Sequence, residues 1–431
     1  MTNFEYVQAT DFDRAWFNFE PDLPLDPGPH GEINPFYIER SPDRTARLER
    51  ELVRVYKQTP KYFFSGQRGC GKSTELKKLS VNPKVLEKYW SIYFTIRDEA
   101  SSNDLDYKDV LLAICGQMFR QYHKMGGELP KNLLKDMNLW CASIQKQVRS
   151  TITEKDSQGA KADLLTFFTN VGNKMKLELT TRQELRQVLE RNVSDLISTI
   201  NHMASATVEH AQCSPLLMID DLDKTNNNQS RIIFIDHLET MLQLDVPVVY
   251  TVPHTLLHLS EFQVDRDRPI LLSNLPLHEP GQPDNQNAIN YASMARFVWK
   301  RMQPELINTS ALESAITLSG GSFREMARLM RIALDYASSS NRYHVHVEDI
   351  EKAGSEICGE YQRFLTQEEL EALKIVHERN SLDTFEKDAS LLQNLAILEY
   401  GDASPWYDVH PALVRLFDSR GESPPDDNAY G

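Results

Sequence analysis

The sequence has little of what would mark an exported or membrane protein. Its five cysteines among 431 residues are scattered and odd in number, so reduced thiols are expected rather than a disulfide scaffold or a zinc site. No apolar run approaches the length of a membrane span, and Met1-Thr2-Asn3-Phe4-Glu5 carries no basic region leading into one. A cytoplasmic protein without a membrane partner is therefore expected. Cations are also scarce: 47 Lys and Arg against 62 Asp and Glu leave a net charge of −15. That weakens any reading in which the whole surface binds nucleic acid, because neutralising phosphates needs clustered Lys and Arg, and leaves room for a local basic groove. From Glu360 onward 6 basic residues face 15 acidic ones, a net of −9, so the C-terminal part should repel DNA. No internal repeat or low-complexity tract stands out.

Against this ordinary background one stretch is chemically specific, Gly66-Gln67-Arg68-Gly69-Cys70-Gly71-Lys72-Ser73-Thr74. A turn without Cβ atoms lets successive backbone N–H groups approach polyphosphate. Lys72 then brings a charge to the β and γ phosphates, Ser73 a hydroxyl to Mg²⁺, and the helix that opens here its positive end. The flanks agree with a strand at Tyr62–Phe64 and a helix from Thr74 to Leu79. ATP and Mg²⁺ are the cofactors this pattern predicts.

Further along, Trp90–Ile96, Leu216–Ile219, Val246–Val252 and Ile270–Leu275 read as buried β runs. With Tyr62–Phe64 they make five, separated by helices, the mark of a parallel sheet covered on both faces. The expected organisation is an extended lead-in over 1–34 and a P-loop core over 35–280. That core begins with a helix capped by Ser41-Pro42 and running to about Lys57, and has a helical insertion at about 129–213. A helical lid over 281–358, a winged-helix-like unit over 359–418 and a disordered tail over 419–431 complete it. Within the insertion a polar break is expected near Glu154–Lys161. A capping box, Thr181-x-x-Glu184, is expected to start one long helix reaching Met203. The last folded unit reads as two helices, a hairpin around Gly401-Asp402 and a final helix from Ala412 to Phe417.

Leu216-Leu217-Met218-Ile219-Asp220-Asp221-Leu222-Asp223-Lys224 is a buried strand ending in carboxylates, as a P-loop site needs beside it. Asp220 is assigned to the metal and Asp221 to the attacking water, with Asp223 as the alternative base. His254-x-x-x-His258 has metal-ligand spacing but lacks the adjacent glutamate of a metalloprotease helix, and zinc is not expected there.

The P-loop, the Asp-Asp-Leu-Asp-Lys string, five strands and a helical lid together resemble the AAA+/STAND group of P-loop ATPases. The acidic string is similar to that of KAP-type ATPases, and the lid resembles that of origin-recognition ATPases. The membrane insertion common in KAP proteins is missing. The resemblance implies a sensor role for Thr251 at a strand end, where a buried threonine is the plain alternative. It implies a second sensor in Arg324 of Gly320-Gly321-Ser322-Phe323-Arg324, and an arginine finger in Arg266 or Arg268, given to a neighbouring subunit on ATP-driven assembly. The implied function is an ATP-hydrolysing switch that controls an effector protein, as in bacterial anti-phage defence or stress response. Two alternatives stay open: a DNA-transaction ATPase resembling initiators or transposition regulators, and a nucleotide-binding scaffold with little hydrolysis.

Overall fold

The computed structural model describes residues 5–22, 25–40, 43, 45–54, 59–148, 163–262, 269–401 and 404–418. Two compact units emerge. One holds Thr45–Ser65 and Lys72–Ile270, the other Met1–Arg44, Gly66–Gly71 and Leu271–Gly431. Each has its own apolar core.

The first unit is built on a sheet whose strands are β1 (Lys61–Ser65), β2 (Tyr89–Thr95), β3 (Ser214–Asp220), β4 (Val248–Val252) and the short β5 (Ile270–Leu271), in the order β2-β3-β4-β1-β5. The β1–β4, β2–β3 and β3–β4 pairs are parallel. Every residue of β1 and β4 is buried. A strand covered on both faces has no solvent side to alternate with, which explains runs such as Val-Val-Tyr-Thr-Val. Helices at Lys72–Ser80 and Tyr107–Lys124 follow β1 and β2.

The insertion is helical, with segments Lys131–Gln147, Asp163–Leu177, Leu179–Glu190 and Val193–Ala211. The single helix expected from Thr181 to Met203 is in fact two. Asn192 breaks it, its side-chain amide donating to the Val188 carbonyl at 2.7 Å and competing with the helical backbone bond. Thr181 is not a cap either: the helix already starts at Leu179, and the Thr181 hydroxyl donates to Glu178 Oε2 at 2.6 Å. The expected polar break at Glu154–Lys161 and the Ser41-Pro42 cap lie outside the described residues.

The second unit carries the helices Ala288–Arg301, Thr309–Leu318, Phe323–Ser339 and Val347–Gln362, close to the expected lid. After them come Gln367–Arg379 and Phe385–Gln393, then an antiparallel hairpin of two strands, Ile397–Tyr400 and Trp406–Val409, and a last helix, Pro411–Asp418. This is the winged-helix-like arrangement read from the sequence. A small antiparallel pair, β6 (His278–Glu279) and β7 (Gln282–Gln286), precedes the lid, so the hairpin strands are β8 and β9.

Two expectations are corrected here. The lead-in is not wholly extended: Asp11 caps a helix over Phe12–Asn18, accepting from the Arg14 N–H, and Ala15 and Phe19 join the core. The fifth strand ends at Leu271 rather than Leu275. Beyond it the backbone bonds elsewhere, with Arg40 donating to the Ser273 carbonyl at 2.9 Å and the Leu275 N–H donating to Gly321 O at 3.1 Å. The expected tail over 419–431 lies outside the described residues.

Candidate nucleotide site

In the sheet unit, β1 delivers the chain to the helix opened by Lys72 and Ser73, while β3 ends beside it in three carboxylates. Lys72 Nζ is 2.9 Å from Asp223 Oδ2, and both side chains are nearly buried. Ser73 hydrogen-bonds Asp220, and Tyr93 Oη donates to Asp220 Oδ2 at 2.7 Å. Carboxylate oxygens of Asp220, Asp221 and Asp223 all lie within 4.8 Å of one another. Burial, with the Asp223 charge next in weight, raises the Asp220 pKa above the usual carboxylate value. Three crowded acids of one sign form a site that favours a cation.

The acidic turn has an unusual backbone. Asp221 sits at φ 67°, in the left-handed region, where aspartate is among the few non-glycine residues tolerated. Its N–H donates to Asp220 Oδ1 at 2.8 Å, and its own carboxylate pairs with Lys224 and, at 3.6 Å, with Arg97. Asp221 is thus turned to two cations while Asp223 faces Lys72. Asp223 Oδ1 is buried with no hydrogen-bond partner among the described residues.

Thr251, at the end of β4, is wholly buried and its hydroxyl is committed to this turn. It accepts from the Leu222 N–H at 3.0 Å and donates to Ile219 O at 3.2 Å. These two bonds staple the acidic turn to the neighbouring strand. Tyr93 and Arg97 were not anticipated from the sequence. Their only signal is register, since β2 pairs with β3 so that Thr95 faces Asp220, and that pairing is invisible in one dimension.

The backbone half of the phosphate loop, Gly66–Gly71, packs within the second unit. Gly66, Gly69 and Gly71 have φ of 154°, 87° and 97°. A Cβ on Gly66 would meet Leu272 O at 2.2 Å, and one on Gly69 would meet Arg324 Cβ at 2.4 Å, so both positions require glycine. Arg324, half-buried at the start of its lid helix, lies directly over Gly69 and pairs with Asp22. Burial lowers its pKa from the ordinary arginine value. Arg40, also missed in the sequence, donates to Cys70 O and lies 4.9 Å over the Phe323 ring. Cys70 and Gln67 are buried and Arg68 is exposed. The Gln67 side chain is bonded to Asn274 and the C-terminal hairpin. Arg266 and Arg268 lie outside the described residues. Among the described residues no helix is long and apolar enough to cross a membrane.

No protein-family model matches the chain, and no curated protein does. Solved structures do. Cdc6p from Pyrobaculum aerophilum is similar at 12% identity and a TM-score of 0.42, over 94% of this chain and 98% of that one. The Aeropyrum pernix ORC1 protein in complex with DNA is similar at 12% and 0.40, over 94% and 98%. The Aeropyrum pernix ORC2 protein in ADPNP–ADP complexes is similar at 12% and 0.42, over 93% and 96%. These likenesses concern the arrangement of elements.

Proposed function

We propose that this protein is an ATP-binding and ATP-hydrolysing switch of the AAA+ type. One observation carries the reading: Lys72 and Ser73 open a helix against three clustered carboxylates, with Ser73 and Tyr93 both bonded to Asp220. Such a site supplies a charge for phosphate, a hydroxyl for a metal and an acid for water.

Mg²⁺ fits these residues, because the crowded acids and the unpartnered Asp223 Oδ1 ask for a cation. Ser73 and Asp220 would hold it, and it would neutralise phosphate charge. Asp221, engaged by Lys224 and Arg97, and Asp223, paired with Lys72 through Oδ2 alone, both stay candidates for the water-activating base. Arg324, resting on Gly69, is placed to respond when the loop fills. Arg266 and Arg268 are proposed as fingers for a second copy, which makes hydrolysis depend on assembly.

Two partner classes remain in view. The winged-helix-like module favours the DNA-transaction reading, and of the similar proteins the ORC1 structure is itself described as a complex with DNA. The net of −9 from Glu360 onward favours a protein effector instead. Phosphate release from Mg-ATP tests the enzyme. Wild type should turn over, more so at concentrations where its native mass rises with ATP over ADP, and Lys72→Ala should not. Equal rates for the two would refute the reading. Duplex-DNA anisotropy against salt then separates the partners, since a DNA binder loses affinity steeply as salt rises.

A further inference from the structure

Gln67 lies inside the glycine-rich loop, yet among the described residues its amide bonds Asn274 and the C-terminal part of the chain. Nε2 donates to Ile397 O at 2.8 Å and to Leu392 O at 3.3 Å. Oε1 accepts from Asn274 Nδ2 at 2.8 Å and from the Glu399 N–H at 2.8 Å. A primary amide has two donors and two acceptor lone pairs, so this one is saturated. Three of these four partners are main-chain groups, two in β8, the first hairpin strand, and one, Leu392, in the helix before it. The side chain is 3% exposed, where a lost partner leaves a buried polar group unpaired. Around it, Asn274 bridges Tyr400, and Tyr400 Oη donates to Gly320 O at 2.7 Å.

We infer that Gln67 is a positioning residue that couples the phosphate loop to the winged-helix-like module, so that ATP in the loop and a partner on the module alter each other's affinity. The inference rests on the proposed ATP site. Its physical basis is that the loop backbone at Gly66–Gly69 shifts to wrap phosphates only as far as Gln67 allows. Gln67 is fixed to the main chain of β8 rather than to a mobile side chain. Coupling of this kind is reciprocal for binding.

The test uses the full chain with Gln67→Met, which removes all four bonds at similar volume. Asn274→Leu removes one bond and leaves the loop sequence intact, should Gln67→Met fail to fold. Amide hydrogen exchange across Ile397–Tyr400 is followed with and without ATP, beside ATP affinity by calorimetry. Without nucleotide, Gln67→Met should speed exchange at Glu399, and Asn274→Leu should do so less; unchanged exchange in both overturns the clamp. With ATP, wild-type hairpin exchange should change, whereas the folded variant should lose that response and shift ATP affinity about fivefold or more, the lower range of coupling between sites. If wild type binds ATP while its hairpin is indifferent to it, and the variants bind equally well, the coupling is refuted and the ATPase reading stands. If wild type binds no ATP, the ATPase reading fails and the coupling falls with it, whatever the nucleotide-free exchange shows of the clamp.

Discussion

Removing either partner of the Lys72–Asp223 pair should have unequal effects on stability, and the geometry says which is worse. At an effective dielectric of about 20, a 2.9 Å contact is worth about 6 kcal/mol of attraction. Asp223 also stands within 4.8 Å of carboxylate oxygens of Asp220 and Asp221, each worth at least about 3 kcal/mol of repulsion on the same scale. Lys224 and Arg97 damp the share from Asp221. The two sides largely cancel for Asp223→Asn, which keeps an acceptor for Lys72. Lys72→Met leaves the buried acids without their cation, a change in the class that costs about 3–5 kcal/mol. Thermal unfolding of the nucleotide-free protein at neutral pH should therefore show Lys72→Met lowered by at least about 6 °C, at about 2 °C or more per kcal/mol for units of this size. Asp223→Asn should fall by less than half as much, and the double variant should lie above Lys72→Met. If Asp223→Asn falls as far as Lys72→Met, the carboxylates do not repel one another and the electrostatic account of the site is wrong.

Two further outcomes follow from the sheet unit. Asp109 is fully buried, and burial raises its carboxyl to about 6 from 3.8, against the lowering effect of Arg186. The folded state then holds a proton that the unfolded state has lost between those values. The Asp109 contribution to stability should therefore fall as pH rises from about 4 to about 6 and level off above. Carbon-13 NMR of the carboxyl should give a midpoint near 6, and Asp109→Asn should lack that slope. Thr251→Val should leave the buried Leu222 N–H without its hydroxyl acceptor, lowering stability by about 1–3 kcal/mol in denaturant melts. Thr251→Ser should recover most of the loss, and an equal loss in both would deny the hydroxyl its stapling role.

Much of the fold was legible because its signals are local. The buried strands β1, β3 and β4 are short apolar runs, and Gly66–Thr74 must be glycine-rich wherever a backbone meets phosphate. The lid helices carry their period and their caps within their own residues. Errors came where a neighbour decided. Leu272–Leu275 continues the apolar run begun at Ile270, but Arg40, Gln67 and Gly321 draw its backbone or side chains into other bonds. Asn192 splits a helix whose hydrophobic period runs on unbroken, because periodicity does not register a side chain that competes for one carbonyl.

The sequence by itself determined that this protein has a glycine-rich loop closed by Lys72-Ser73, an acidic strand end and a run of helices after the sheet, since each of these is chemistry written in consecutive residues. Tertiary structure alone decided which acid meets Lys72, that Tyr93 and Arg97 contact the acidic strand end, that the Thr251 hydroxyl bonds the acidic turn, and that the Gln67 side chain bonds the hairpin. The reason is physical: side-chain direction and strand pairing depend on contacts between residues tens to hundreds of positions apart, and no local pattern encodes them.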